Sequence, residues 1–158
     1  MGIAPDPADL ETPTPEQAQI AAKLKGRFPQ AYLTEQCFRG QLSMWIDKSV
    51  VVEALRFLRT DPELLFDFLS DITAVDRWTN REPGEPRFEV VYNLYSTLFN
   101  RRVFVKAWVD DGQSVPSATA VWLGADFMER EVYDLMGVVF SGHPNLERIL
   151  TPDGWLGH

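Results

Sequence analysis

Between Glu129 and His143 the chain gathers the groups from which a reactive site could be built. Glu129, Glu131 and Asp134 surround Arg130, and His143 follows closely. Neighbouring carboxylates suggest general acid–base work. On a helix, however, residues two apart turn to different faces, so Glu129 and Glu131 do not converge on one substrate. A zinc site would join His143 or His158, the only histidines, to Glu129 or Glu131. Their spacing matches no metal pattern, and a histidine held for structure or partner contact is the commoner case. The plainer reading makes Glu129 a capping residue at the positive end of a helix and pairs Asp134 with Arg130 four positions away. Glu131 then bonds a neighbour. An exposed ion pair of this kind contributes only about 0.5 kcal/mol. Charge this dense has more effect when desolvated against another protein, where it sets orientation and specificity.

Other chemistry lacks its residues. The ten glycines form neither GxGxxG nor GxxxxGK[ST], which leaves dinucleotide and P-loop binding unsupported. No GxSxG elbow is present, and Cys37 has no histidine nearby in sequence. As the single cysteine it can form no intrachain disulfide, which fits a reducing compartment. Nor can it supply the roughly four thiolates of an iron–sulfur cluster. Trp108, Trp122 and Trp155 could stack on a quinone or nucleotide, but packing in cores and interfaces is the more usual employment of tryptophan.

The whole composition narrows the class. A chain of 158 residues fits one domain with a real core. Its net charge of -8 argues against a nucleic-acid binder, which needs a cationic face, and leaves room only for a local basic patch. No apolar run approaches the roughly 18 residues of a membrane span, so direct membrane insertion is not expected. Residues 1–14, acidic and rich in proline, lack the basic end and apolar segment of a signal peptide and read as a loosely ordered arm.

The elements that would position the charged cluster follow from periodicity. Thr14-Pro15-Glu16-Gln17 has the spacing of a capped helix start, Ile20, Ala21 and Leu24 supply its stripe, and Gly26 marks its end. Strand patterns run from Ala31 to Cys37 and from Gln41 to Ile46. Asp47 or Ser49 caps a second helix that carries Val51, Leu55 and Leu58 and stops at Asp61-Pro62. Phe68, Ser70, Ile72 and Ala74 share one side of a strand ending near Asp76. The segments from Phe88 and from Val103 alternate strongly and predict an antiparallel hairpin turning near Asn100. Both faces of that hairpin are partly apolar, which predicts a cover on each side. A helix follows Asp126, with Met128, Val132, Leu135 and Met136 as its buried stripe and Gly137 as its stop. The expected fold is α+β: a mainly antiparallel or mixed sheet flanked by two or three helices, with an irregular C-terminal extension. Residues 15–137 form the expected α+β domain and residues 138–158 an extended C-terminal segment.

The run Glu129-Arg130-Glu131-Val132-Tyr133-Asp134-Leu135-Met136-Gly137-Val138-Val139-Phe140 is followed by Gly142-His143-Pro144-Asn145-Leu146 and Arg148-Ile149-Leu150. Together they resemble the signature of the C-subunit family of NADH:quinone oxidoreductase, the respiratory complex I. Phe68 to Asp76, Phe88 to Tyr92, Asn100 to Arg102 and Ser117 to Trp122 extend the resemblance over nearly the whole chain. It implies a cofactor-free scaffold subunit in the hydrophilic arm of a proton-pumping translocase, beside subunits D, B and I. FMN, the iron–sulfur clusters, NADH and quinone would then belong to other subunits. The resemblance further implies a peripheral place on the cytoplasmic side of the bacterial inner membrane. Glu129, Arg130, Glu131, Asp134, His143, Pro144 and Arg148 become candidate partner contacts, with no catalytic or metal residue in this chain. The equivalent subunit of a membrane-bound hydrogenase or of an F420-type dehydrogenase is the alternative. Two departures stand out. Glu147 replaces a residue that is often basic in the family, and relatives usually continue past His158 through a proline and a short basic tail.

Overall fold

The computed structural model describes residues 9–158, and the capping signal at Thr14 forms as its spacing requires. Helix α1 spans Pro15–Arg27, with Pro15 in its first turn. Thr14 Oγ1 accepts from the Gln17 amide at 3.3 Å, and Gln17 Oε1 accepts from the Thr14 amide at 2.9 Å. Two amides that the helix cannot satisfy itself are thereby paired. The helix runs through Gly26, which lacks the positive φ that would stop it, and ends when the Phe28 amide closes on Leu24. Thr14→Ala is expected to cost about 1 kcal/mol, read as a lower urea midpoint at unchanged slope.

Six strands form one mixed sheet. They are β1 (Leu10–Glu11), β2 (Tyr32–Phe38), β3 (Gln41–Ile46), β4 (Phe68–Asp76), β5 (Phe88–Ser96) and β6 (Arg101–Val109), in spatial order β1-β2-β3-β6-β5-β4. Neighbours are antiparallel except β3 and β6, which run parallel with Leu42 opposite Val103. The β2–β3 hairpin closes on Arg39 and Gly40, with φ of 50° and 71°. Positive φ at both central positions is the requirement of a two-residue turn that matches strand twist, and Gly40 meets it without strain. Of the expected N-terminal arm, residues 1–8 lie outside the described residues, whereas Leu10 pairs with Phe38 at the edge of the sheet.

One face of the sheet carries the helices. Leu42, Met44, Val90, Tyr92, Leu94, Val103, Val105 and Ala107 meet Ile20 and Leu24 of α1 and Leu55 and Leu58 of helix α2 (Val51–Thr60). Helix α3 (Ala125–Met136) joins the same cluster through Ala125 and Val132 and lies against β4. Each fully buried leucine contributes about 1.5–3 kcal/mol by leaving water.

Strand β4 departs from simple alternation. The pairing moves from Leu69 opposite Leu94 to Asp71 opposite Asn93, which leaves Ser70 as an extra residue. This bulge makes Leu69, Ile72 and Ala74 the buried set and turns Phe68 outward at 54% exposure. Phe68 and Ser70 therefore do not share the side of Ile72, because a bulge reverses the phase that strict period-two reading assumes.

A second, two-stranded parallel sheet joins β7 (Ser114–Pro116) to β8 (Val139–Ser141). The chain leaving α3 is thus tied at once to the loop that precedes the helix.

Candidate docking surface on the last helix and the C-terminal segment

Helix α3 begins without a side-chain cap, since Gly124 stands at the cap position and Asp126 already lies inside the first turn. Glu129 is therefore not the far half of a capping box for its own helix. It is fully buried and reaches back to the preceding one-turn 3-10 helix over Ala118–Ala120. Its Oε1 accepts from the Ala118 amide at 2.6 Å and its Oε2 from the Ser117 hydroxyl at 2.6 Å. Burial pushes the Glu129 carboxyl above its ordinary range, against the opposing pull of Ser117, the Ala118 amide and nearby His143. Ala125, Glu129 and Val132 share the inward stripe, so the sequence spacing alone turns this carboxylate away from solvent.

His143 lies beside it with its ring fully enclosed. Its Nδ1 accepts from the Asn145 amide at 3.0 Å, which places the ring proton on Nε2. Nε2 then donates to the Asp126 carbonyl oxygen at 3.1 Å. Glu129 Oε2 lies 4.0 Å and Asp126 Oδ1 3.6 Å from the same nitrogen. His143 thus fastens the loop around Pro144 to the first turn of α3. Among the described residues no cluster of three or more histidine, cysteine or carboxylate side chains is arranged to hold a metal ion.

Asp134 does not pair with Arg130. It is buried one turn from the end of α3 and accepts from the amides of Ile149, Leu150 and Thr151 at 3.0, 2.7 and 2.9 Å. The Thr151 hydroxyl donates to its other oxygen at 2.5 Å. Arg148 Nε approaches to 3.9 Å. Burial opposes the charge, but Thr151 and the three amides prevail and hold the Asp134 carboxyl well below the usual carboxylate range. Arg130 turns the other way, stacks over Phe127 and donates Nε to the Glu147 carbonyl at 2.9 Å. Three successive amides around one oxygen are a stronger competitor for a carboxylate than an exposed guanidinium.

Arg148 gathers the last residues by donating to the carbonyls of Trp155 and Gly157 at 3.2 and 2.8 Å. Gly137 closes α3 with φ 73°, and the His158 ring packs so closely that a Cβ there would lie 2.7 Å from it. The expected stop is therefore correct, and the left-handed φ favours glycine at this position. Leu135, expected in the buried stripe, is 43% exposed, because that stripe follows Ala125, Glu129 and Val132.

Three of the seven candidate residues, Glu129, Asp134 and His143, are thus internal anchors. Arg130 and Arg148 brace backbone carbonyls, while Glu131 and Pro144 are exposed. Around them stand apolar side chains that the charged motif does not advertise: Leu123 at 89% exposure, Phe127 at 65%, Trp155 at 55% and Leu156 at 94%. These exposed apolar groups are candidate contacts for another protein. Trp122, by contrast, is nearly buried and donates Nε1 to the Asp67 carbonyl. Ser117 and Thr151, the partners of the two buried carboxylates, carried no signal in the sequence, because both contacts cross between elements.

Comparison with known proteins identifies the family. A family model described as "Respiratory-chain NADH dehydrogenase, 30 Kd subunit" matches residues 44–158. The C subunit of the NADH-quinone oxidoreductase of Roseiflexus sp. (strain RS-1) is 45% identical over 90% of this chain and 80% of its own. That of Geobacter metallireducens is 42% identical over 90% of this chain and 86% of its own. Among solved structures, the trypsin-resistant fragment of Nqo5 superposes with a TM-score of 0.71 at 30% identity, covering 83% of this chain and 99% of that one. A chain of the membrane-bound sulfane sulfur reductase, an archaeal respiratory membrane complex, has a TM-score of 0.66 at 24% identity over 87% of this chain and 77% of its own, a likeness of fold alone. The chain belongs to the respiratory-chain NADH dehydrogenase 30 Kd subunit family, whose bacterial members include the C subunit of NADH-quinone oxidoreductase.

Proposed function

We propose that this chain is a structural and assembly subunit of the hydrophilic arm of an NADH-quinone oxidoreductase, supporting electron transfer from NADH to quinone without carrying a cofactor. Its expected neighbours are subunits D, B and I. It would sit peripherally on the cytoplasmic side of the inner membrane, held there by the complex. The carrying observation is the anchored surface of α3 and residues 138–158. Buried Glu129, His143 and Asp134 fix the backbone, and Leu123, Phe127, Trp155 and Leu156 project from it. No helix among the described residues is long and apolar enough to cross a membrane. Among residues 138–158 only Val138 and Phe140 are buried, which leaves most of this segment available to a partner. The sulfane sulfur reductase likeness supports no second reading, since it extends to the fold only.

Purification of the tagged chain from its own cells tests the proposal. Co-purification with the other subunits and with NADH-dependent quinone reduction is expected. Stoichiometric flavin or iron in the isolated chain would overturn the cofactor-free role. Phe127→Asp is expected to reduce recovery of the complex about tenfold while leaving Tm within roughly 2 °C, because this ring is exposed in the free chain.

A further inference from the structure

All three helices pack on one face of the six-stranded sheet, and the other face is a concave groove crossing five strands. Its floor is apolar and aromatic: Phe38 from β2, Trp45 from β3, Phe104 from β6, Val91 from β5 and Val75 from β4. One charge lies in that floor, and it is already matched. Lys106 Nζ donates to Glu89 Oε1 at 2.8 Å, Trp45 Nε1 donates to Glu89 Oε2 at 2.8 Å, and the ammonium lies over the Trp45 ring at 4.6 Å. A matched, hydrogen-bonded pair can stay in place when the groove is covered.

The rim is different. At the end where β2 turns into β3, Arg39 stacks on Phe38 at 5.1 Å, and Arg102 stacks on Tyr95 at 5.8 Å beside Phe104 on the same face. Neither has a carboxylate partner among the described residues. In a chain of net charge -8, this end of the groove presents two arginines that are unpaired among the described residues, beside an apolar floor.

We infer that the open face of the sheet seats an amphipathic helix from a neighbouring subunit, with its apolar stripe in the groove and acidic residues against Arg39 and Arg102. A layer of helix is the usual cover for an apolar sheet face. Charge complementarity at one end fixes the direction in which that helix lies. A second copy of this chain is a poor occupant, because two concave faces do not interdigitate across a two-fold axis. The inference rests on the proposed role as a subunit, and it adds an interface separate from the α3 surface.

A photo-crosslinking p-benzoylphenylalanine in place of Thr73, which is exposed and lines the groove, tests it in the complex assembled in cells. The expected product joins Thr73 to a segment of another subunit that has apolar residues at three- and four-residue spacing and acidic residues toward one end. Crosslinks to residues 1–9 of the same chain, to a second copy, or to no polypeptide overturn the groove assignment while leaving the subunit role intact. Recovery of the chain without any other oxidoreductase subunit overturns both. The double substitution Arg39→Glu and Arg102→Glu is expected to weaken retention of that neighbour about tenfold or more at physiological salt, with unchanged Tm. Full retention by this variant overturns the inference.

Discussion

Glu129→Ala is expected to remove on the order of 4 kcal/mol of stability, or roughly 10 °C in Tm, as measured by thermal and urea unfolding. The Ala118 amide and the Ser117 hydroxyl would lose their acceptor inside the protein, and a cavity would open between α3 and the 3-10 turn. Glu129→Gln tests the cause. An amide presents one acceptor to Ala118 and a donor to Ser117, as a protonated carboxyl would, so most of the loss is recovered. The pH dependence carries the sign. Burial raises the Glu129 carboxyl above its unfolded value, so its contribution is fully present below about pH 4.3 and is lost as pH rises through the folded value. The parent should therefore lose stability relative to Glu129→Gln as pH climbs from about 4 toward neutrality. A parallel pair of pH profiles would show that Glu129 stays at its ordinary value.

Asp134→Ala is the second large effect, and it should act on the chain end before the core. Three amides and a hydroxyl lose one common acceptor, so residues 147–158 should become sensitive to proteolysis, and Tm should fall by roughly 5–10 °C. Here the pH sign is reversed. The Asp134 carboxyl is held below its unfolded value, so its contribution is present above about pH 3.9 and is lost as pH falls through the folded value. The gap between parent and Asp134→Asn should be constant near neutrality and close below about pH 4. A gap that does not narrow at all as pH falls from about 4 toward 2 would assign the effect to packing instead of charge. Neighbouring turns of one helix thus carry two buried carboxylates with opposite responses to acid, set by whether hydrogen bonds outweigh desolvation.

These two residues also show where the sequence was legible. Local signals were read correctly because neighbours in sequence complete them: the Thr14–Gln17 box, the Gln41–Ile46 strand, the β5–β6 hairpin and the Gly137 stop. The family resemblance rested on the same contiguous run, and the matching relatives agree with it. Sequence and structure part where a distant element supplies the partner. Glu129 has capping chemistry, but the amide it satisfies belongs to Ala118, eleven residues earlier. Asp134 has a cation at helical spacing, yet three amides beyond Arg148 outcompete it. The Ser70 bulge reversed the phase of Phe68 without leaving a mark in composition. The parallel seam between β3 and β6 is likewise invisible to periodicity, which reports faces but not neighbours.

That seam decides the order in which the chain assembles. The β5–β6 hairpin brackets a short turn and can close within microseconds, whereas Leu42 must wait for Val103 across the second helix and two strands. As the chain leaves the ribosome, the inner edge of β3 is complete but bare until β6 follows it. Such an edge invites wrong pairing. The rate of productive folding is therefore expected to depend on this one long-range junction at the middle of the sheet, and nascent chains stalled before Val103 should be the ones that chaperones hold.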